Sequence, residues 1–308
     1  MSGFLSRLAQ PGILIADGAT GTMLQRLGLP AGMAPERWNL ENPSAVQSLH
    51  RSYIEAGADV ILTNTFGGTR HRLERERLGD RAQEINRIAA QIARSAASQA
   101  LTTFGRRVYV LGDIGPLGKL IKPLGPLTYA QAVEAFAEQA AGLVEGGVDA
   151  ILIETMGDLN EVRAAVEGVR QATAGLPEPP PILATMSFDT RGRTMMGVKP
   201  EQAAQALVEL KVDALGANCG RTLSETLEAV QAMRRVAPQA TLMAKPNAGL
   251  PRLEIEKGKD ASAVYDVTPE VMAEWAEKFA SLGVRIFGGC CGSTPDHIRA
   301  AAQRLRSQ

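Results

Sequence analysis

The sequence predicts a (β/α)8 barrel of the TIM type, an α/β fold in which eight parallel strands alternate with helices. Eight short apolar runs recur along the 308 residues, and longer segments with helical periodicity separate them. The runs are continuously apolar, which is typical of parallel strands buried on both faces. A doubly wound sheet is the alternative, but eight repeats without a dinucleotide-binding glycine fingerprint favour the barrel. No linker interrupts the pattern, so residues 1–308 are expected to form a single domain.

Each predicted strand is an apolar run that ends near glycine or polar residues. The runs occupy 13–18, 60–66, 108–115, 150–155, 182–188, 214–220, 241–247 and 285–291. Glycine precedes several of them, which suits the C-terminal end of a preceding helix. The barrel therefore follows from the order and spacing of these runs.

Helices are predicted where apolar residues recur with a period of about 3.6. The clearest segments are 79–100, 128–146, 268–283 and 293–305. The last two begin with threonine followed by proline, a typical helix start. The polar segment 253–266, after the seventh strand, is long enough to predict a lid or a docking surface.

Composition excludes several classes of function. Lysine plus arginine equals aspartate plus glutamate, 33 against 33, so no basic field indicates a nucleic-acid or membrane-surface partner. No apolar run approaches the roughly 20 residues that a membrane helix needs, and the N-terminus has no signal-peptide pattern. The three cysteines are too few for a disulfide framework, so a reducing cytoplasm is expected.

Polar residues collect at the C-terminal ends of the predicted strands, where barrels carry their chemistry. All three cysteines of the chain belong to this group. The strand-end residues are Asp17, Gly18, Asn64, Thr65, Asp113, Glu154, Thr155, Asp189, Asn218, Cys219, Lys245, Asn247, Cys290 and Cys291.

The cysteine positions predict a metal site. Cys219 follows strand six and the Cys290–Cys291 pair follows strand eight, so the three thiols can converge across the end of strand seven. Adjacent strand residues point to opposite faces, so both members of the pair reach one ion only if the backbone bends, which Gly288, Gly289 and Gly292 permit. Three thiolates with one open position form a catalytic type of Zn²⁺ site, and a substrate thiol can bind there as thiolate.

Other interpretations of the cysteine segment remain open at this point. Free cysteines are often small buried hydrophobes, and an adjacent pair can form a strained disulfide. The glycines followed by the helix start at Ser293 also resemble the phosphate site of many barrels, which predicts an aldolase- or isomerase-type enzyme instead. The histidines are scattered, show no metal-binding spacing, and His297 is expected to be solvated.

The chain resembles the homocysteine S-methyltransferase family across essentially its whole length. The motifs GANCG and, about 70 residues later, GGCCG carry the resemblance, together with LIADGATGTMLQ, TNTF, DIGPLG, ILIETMGDLNE and KPNAGLP. Within the family, the sequence is most similar to the homocysteine-binding domain of cobalamin-dependent methionine synthases. The resemblance implies that Cys219, Cys290 and Cys291 ligate zinc and carry the catalysis.

The resemblance also implies where the amino-acid part of homocysteine binds. Asp17 and Glu154 are expected to hold the α-ammonium group, and the backbone N–H groups of Gly18 and Ala19 the α-carboxylate. Asp17 has an alternative role as a helix N-cap, and Glu154 as a member of an ion pair at the barrel rim.

Three further polar residues are candidates for the same site. Asn64 and Thr65 are expected either to contact the substrate or merely to satisfy the backbone. Asn247 is expected either to cover the open zinc position when substrate is absent or to shape its own turn.

The implied reaction is methyl transfer to L-homocysteine, giving L-methionine. The methyl donor is expected to be methylcobalamin supplied by a cobalamin-binding domain or a corrinoid protein, because the 308 residues leave no length for such a domain. Direct use of S-methylmethionine or betaine is the alternative, for which Trp38, Phe66 and Phe188 near the rim could supply aromatic contacts.

Overall fold

The computed structural model describes residues 3–254 and 262–307, and in them eight parallel strands form one nearly closed sheet. These strands are β1 (Leu14–Ile15), β2 (Val60–Leu62), β3 (Tyr109–Ile114), β4 (Ala150–Met156), β5 (Ile182–Met186), β6 (Ala214–Cys219), β7 (Leu242–Pro246) and β10 (Val284–Phe287). The strand order is β1-β10-β7-β6-β5-β4-β3-β2, and a parallel bridge from Ala16 to Val60 joins the two ends. The predicted (β/α)8 barrel is therefore confirmed.

Helices surround this sheet and connect its strands. The α-helices are α1 (Gly3–Ala9), α2 (Gly21–Arg26), α3 (Trp38–Glu41), α4 (Pro43–Glu55), α5 (Arg70–Leu73), α6 (Ala82–Phe104), α7 (Tyr129–Glu145), α8 (Leu159–Thr173), α9 (Pro200–Glu209), α10 (Leu223–Val236), α11 (Pro269–Ser281) and α12 (Pro295–Arg306). Short 3₁₀ turns cover Pro35–Arg37, Glu74–Glu76 and Gly79–Arg81. Among the helices of the described residues, none combines the length and apolar character that a membrane crossing requires.

The apolar core has two layers, which explains why the strand sequences do not alternate. In β4, Leu152 belongs to the cluster inside the barrel, whereas Ile151 and Ile153 belong to the cluster between the sheet and the helices. Both layers exclude water, so both faces of each strand favour apolar residues. Helix α1 contributes Phe4 to the inner cluster, where its ring meets Tyr109 edge-on at 5.4 Å.

Several predicted strands end earlier than expected, the first at Ile15 rather than 18 and the fifth at Met186 rather than 188. The second strand stops at Leu62 rather than 66, and the eighth stops at Phe287 rather than 291. Cys290 and Cys291 therefore lie in a loop, where the alternation of strand side chains no longer applies. The predicted helices are confirmed, with the first of them displaced to Ala82–Phe104.

Side-chain capping fixes several helix starts. Thr128 accepts from the N–H of Gln131, and Thr268 accepts from the N–H of Val271. At α12 the contact is reversed, because the ring Nδ1 of His297 accepts the N–H of Thr294 at 3.2 Å. His297 is buried, and its Nε2 lies 2.8 Å from the carbonyl of Val267. The expectation that His297 is solvated is therefore wrong, because its ring links two segments of backbone.

The segment after β7 begins as an antiparallel pair. The pair consists of β8 (Arg252–Glu254) and β9 (Ser262–Val264). The prediction of a lid or docking surface at 253–266 falls partly on residues 255–261, which lie outside the described residues.

Close packing inside the sheet predicts a stability cost at Gly216. A Cβ atom there would overlap the carbonyl oxygen of Met243 on the neighbouring strand. We expect Gly216→Ala to lower the free energy of unfolding by at least about 2 kcal/mol, because the strand backbone must shift to relieve the overlap. Urea unfolding measures the difference, and Gly175→Ala is the control, since nothing lies within 4 Å of a Cβ at that position. Equal stability of the two variants would contradict the packing argument.

Candidate metal centre

The three cysteines converge at the C-terminal mouth of the barrel. Cys219 ends β6, and its sulfur lies 3.0 Å from the sulfur of Cys290. The three Sγ atoms lie within 4.8 Å of one another. Cys219 and Cys290 are half-buried and Cys291 is exposed, so the group has a solvent-facing side. Soft thiolate ligands this close together fit a single soft or borderline metal ion.

Unusual backbone conformations bring the thiols together. Cys219 has a φ of 57°, a left-handed conformation that ends the strand and turns its side chain away from the strand direction. Gly292 has a φ of 79°, which supports the predicted bend after the cysteine pair. Gly288 serves a different purpose, because a Cβ there would lie 2.8 Å from the carbonyl oxygen of Asp17. Glycine at 288 is required for close approach of two strands rather than for a bend.

An amide and a hydroxyl group organise the thiols. Asn218 accepts from the N–H of Thr155 at 2.8 Å and donates to the hydroxyl of the same residue at 2.6 Å. Its amide nitrogen also lies 3.6 Å from the Cys219 sulfur and 3.9 Å from the Cys290 sulfur. Thr155 has a φ of 62°, so a second strained backbone position lies beside the thiols.

The thiols share protons unequally. A hydrogen bond with Cys290 raises the pKa of the Cys219 thiol, and burial adds to that effect. Hydrogen bonds from Cys219 and Cys290 instead lower the pKa of Cys291 to about 3. Hydrogen bonding among the three sulfurs thus favours loss of one proton from the group.

A cavity of about 450 Å³ opens beside the cysteines. Its buried wall contains Asp113, Glu154 and Lys245, and the Lys245 Nζ lies 3.1 Å from a Glu154 carboxylate oxygen. Burial raises the pKa of Glu154, and the charge of Lys245 opposes that rise. The predicted ion pair of Glu154 exists, but it is buried in the mouth rather than exposed at the rim.

Asp17 links two strands instead of capping a helix. One carboxylate oxygen accepts the N–H of Leu62 at 2.8 Å, and the other is buried without a hydrogen-bond partner among the described residues. The side chain lies behind the cavity wall, in the field of Lys245 and Glu154. Its contact with the α-ammonium group stays a prediction.

The neighbouring Gly18 and Ala19 differ in what they can offer a carboxylate. The N–H of Ala19 donates to the carbonyl of Ser293 at 3.0 Å, and its binding of the substrate carboxylate stays a prediction. Gly18 lines the cavity, and a Cβ there would lie 2.6 Å from the same carbonyl oxygen. Its role as an amide donor stays a prediction.

Asn64, Thr65 and Asn247 all satisfy backbone groups. The Asn64 amide donates to the carbonyl of Pro35, and the Thr65 hydroxyl donates to the carbonyl of Asp113 at 2.7 Å. The Asn247 oxygen accepts the N–H of Cys291 at 3.0 Å, which supports the cysteine loop. Asn64 and Thr65 also line the cavity, and the substrate or metal roles of all three stay predictions.

Sequence reasoning left three functional candidates without a role. Asp113, Lys245 and Asn218 were strand-end residues in the sequence, and each lies in the cavity wall or against a cysteine sulfur. The signal that could have identified them is a charged or amide residue within an otherwise apolar strand. Asp189, by contrast, is exposed and pairs with Thr190 after the fifth strand has ended.

Fold and site together define a parallel barrel whose mouth combines a three-thiol centre of the metal-binding type with a cavity containing buried charges. A family model described as homocysteine S-methyltransferase matches residues 14–305. The chain therefore belongs to the homocysteine S-methyltransferase family.

Individual relatives agree with this assignment. Methionine synthase from Mycobacterium tuberculosis is 36% identical over 297 residues, which cover 94% of this chain and 24% of that protein. Methionine synthase from Mycobacterium leprae is also 36% identical, over 97% of this chain. The chain thus spans about a quarter of the length of these relatives. The metallated homocysteine methyltransferase MmuM from Escherichia coli has the same fold, with a TM-score of 0.80 over 97% of this chain and 98% of its own at 22% identity.

Burial predicts a pH dependence of stability at Asp17. Burial raises the pKa of its carboxyl from 3.8 to about 7. The folded state therefore binds more protons than the unfolded chain between these values, and the stability of the neutral form is lost as pH rises through about 7. In the metal-free protein, we compare the free energy of unfolding of Asp17→Asn with that of the parent. We expect this difference to change in favour of the variant by roughly 2–3 kcal/mol as pH rises from about 5 to about 8.

Urea unfolding at the two pH values tests this expectation. Asp189→Asn, which neutralises an exposed carboxylate, is the matched control. A stability difference between parent and Asp17→Asn that does not change with pH would show that Asp17 ionises normally.

Proposed function

We propose that this chain transfers a methyl group to the thiol of L-homocysteine, giving L-methionine. The observation that carries the proposal is the three-thiol centre beside a cavity whose buried wall contains Asp113, Glu154 and Lys245. A substrate with a thiol at one end and a zwitterionic amino-acid group at the other matches those two chemistries. Membership of the homocysteine S-methyltransferase family supports the same substrate.

Different residues bind the two ends of the substrate. Cys219, Cys290 and Cys291 would hold Zn²⁺, which acts as a Lewis acid that favours the thiolate form of a bound thiol. Glu154 and the Gly18 amide orient the amino-acid end, and Asp17 adds negative charge behind it. The homocysteine sulfur then forms its bond to the methyl carbon as the methyl–donor bond breaks, and the donor keeps that electron pair. Holding the sulfur in line with the donor is the main contribution of the protein.

Methylcobalamin carried by another domain or a corrinoid protein is the proposed donor. The methionine synthases that resemble this chain are about four times its length, which leaves room in them for such a carrier. The outer cavity wall, formed by exposed residues such as Gly32 and Arg75, is the side from which a large donor can approach.

Two observations disfavour the alternatives, which are an onium methyl donor and a phosphate-binding aldolase or isomerase. Phe66 is the one aromatic side chain of the described residues in the cavity wall, and the Arg72 guanidinium already lies 5.3 Å from its ring centre. That cation competes with an onium donor for the ring. The amides that a phosphate would need are also in use, because protein oxygens accept the N–H groups of Gly288, Gly289, Cys290, Cys291 and Ser293.

Zinc binding should depend on Cys219. The parent protein is expected to bind about one zinc per chain, and Cys219→Ala to lose it, because two thiolates hold zinc much less tightly than three. Metal analysis after dialysis measures the content, with Asp189→Asn as a variant that keeps it. X-ray absorption should then gain one sulfur neighbour of zinc when L-homocysteine is added. An unchanged sulfur count would indicate a closed structural site instead.

The donor should be identified by a direct comparison. Zinc-loaded protein with L-homocysteine is expected to form methionine from methylcobalamin, and much more slowly from S-methylmethionine or betaine. Chromatographic detection of methionine gives the rates, and Cys219→Ala supplies the background. Faster reaction with either onium compound would replace the proposed donor, while leaving homocysteine as the acceptor.

A further inference from the structure

Tyr265 is an aromatic residue beside the three-thiol centre, and the proposed reaction gives it no part. It follows β9 and precedes α11, and its half-buried side chain packs against the core between the sheet and the helices. The ring lies directly over Gly292, because a Cβ atom added to Gly292 would overlap the Cγ atom of Tyr265. Gly292 is therefore buried although the preceding residue, Cys291, is exposed.

The Tyr265 hydroxyl has hydrogen-bond partners on two sides, the sulfur of Cys291 and the hydroxyl of Thr22. A phenol has one O–H to donate, and its oxygen can also accept. A thiolate sulfur is an acceptor only, so the Tyr265 O–H donates to Cys291 and the Thr22 hydroxyl donates to the phenol oxygen. Thr22 lies in α2 and lines the cavity, so Tyr265 joins this helix to the loop that carries Cys291.

Backbone hydrogen bonds hold the segment of Tyr265 against the same loop. The N–H of Val267 donates to the carbonyl of Ala248 at 3.1 Å, and the N–H of Ala248 donates to the carbonyl of Cys291 at 2.9 Å. The Nε2 atom of His297 lies 2.8 Å from the carbonyl of Val267. Because Tyr265 lies only two residues before Val267, these bonds fix where its hydroxyl meets the sulfur. The contact is therefore preorganised before any metal ion binds.

Cys291 differs from the other two cysteines in its surroundings. Cys219 and Cys290 are half-buried, and the amide nitrogen of Asn218 lies 3.6 Å and 3.9 Å from their sulfurs. Cys291 is exposed, and its sulfur receives the Tyr265 hydroxyl instead. Groups that hydrogen-bond to metal ligands orient those ligands and change how strongly they bind the ion.

We propose that Tyr265 is a positioning residue of the metal centre, whose hydroxyl orients the exposed ligand Cys291 and withdraws electron density from its sulfur. Three thiolates around one Zn²⁺ carry a net negative charge, which repels an incoming substrate thiolate. A hydrogen bond to one ligand sulfur reduces that repulsion. The inference rests on the proposed function for the identity of the ion, and it gives Tyr265 no contact with the substrate.

Two variants separate the hydroxyl of Tyr265 from its ring. Tyr265→Phe keeps the ring over Gly292 and removes the O–H, whereas Tyr265→Leu removes both. Tyr129→Phe is the matched control, because the Tyr129 hydroxyl donates to Glu167 at 2.9 Å on the exposed surface. Competition with a chromophoric chelator measures the zinc affinity of each full chain. Replacement of zinc by Co²⁺ then gives the energy of the sulfur-to-metal charge-transfer band.

Tyr265→Phe is expected to bind zinc roughly 10-fold more weakly, because a group that supports a metal ligand is lost. Its Co²⁺ charge-transfer band should move to lower energy, since a thiolate without the hydrogen bond gives up an electron more easily. Tyr265→Leu should weaken zinc binding at least as much, and Tyr129→Phe should match the parent in both measurements. Urea unfolding of the metal-free proteins checks that Tyr265→Phe remains folded.

Other results would overturn this role of Tyr265. Parental zinc affinity and an unshifted band in Tyr265→Phe would show that only the ring matters, through its packing on Gly292. Weaker zinc binding with an unshifted band would place the effect in the loop rather than at the sulfur. The expected results without methionine formation by the parent would contradict the proposed function and leave the role of Tyr265 intact. A parent that binds neither zinc nor Co²⁺ would overturn both.

Discussion

Closure of a parallel sheet is the constraint on which the functional site depends. β1 pairs with β10, and Ala16 bridges to Val60, so strand ends from distant parts of the chain face one mouth. Parallel strands all direct their carboxyl ends to the same side, and this brings Cys219 to Cys290 across 71 positions of sequence. A Cys290 thiol on an open sheet edge would have no such neighbour. The convergence of the three thiols therefore depends on the topology of the barrel more than on the local sequence around each cysteine.

The second constraint is electrostatic. The mouth holds the carboxyl groups of Asp113, Glu154 and Asp17 together with the ammonium group of Lys245, all of them buried. Burial raises the pKa of each carboxyl group, and the charge of Lys245 opposes the rise in all three, helped at Asp17 by the hydrogen bond from the Leu62 N–H. A ligand that brings an ammonium group relieves this imbalance, whereas an anion alone would worsen it.

The fold and the convergence of the three cysteines could be predicted from the sequence more completely than the cavity beside them. Continuous apolar runs reveal strands buried on both faces, and the run at 285–291 correctly indicated the last strand, although it wrongly included the cysteine pair. The end of that strand at Phe287 was not readable, because apolar and glycine residues continue past it. Nor could the sequence reveal that Ala19 donates to Ser293, since that contact joins residues far apart in the chain. Such long-range hydrogen bonds decide which polar groups remain free for a ligand.

The thiol centre and the charged pocket are coupled through Lys245. The hydrogen bond with Cys219 and the charge of Lys245 lower the pKa of Cys290, but the hydrogen bond with Cys291 and burial outweigh them and raise it to about 12. Lys245 also bonds to Glu154. Three cysteine thiolates and a substrate thiolate around one Zn²⁺ would accumulate negative charge. A nearby buried cation would stabilise that charge. Lys245 is thus the residue through which the charges of the cavity wall reach the thiols. The thiols and the buried charges therefore form one electrostatic unit rather than two separate sites.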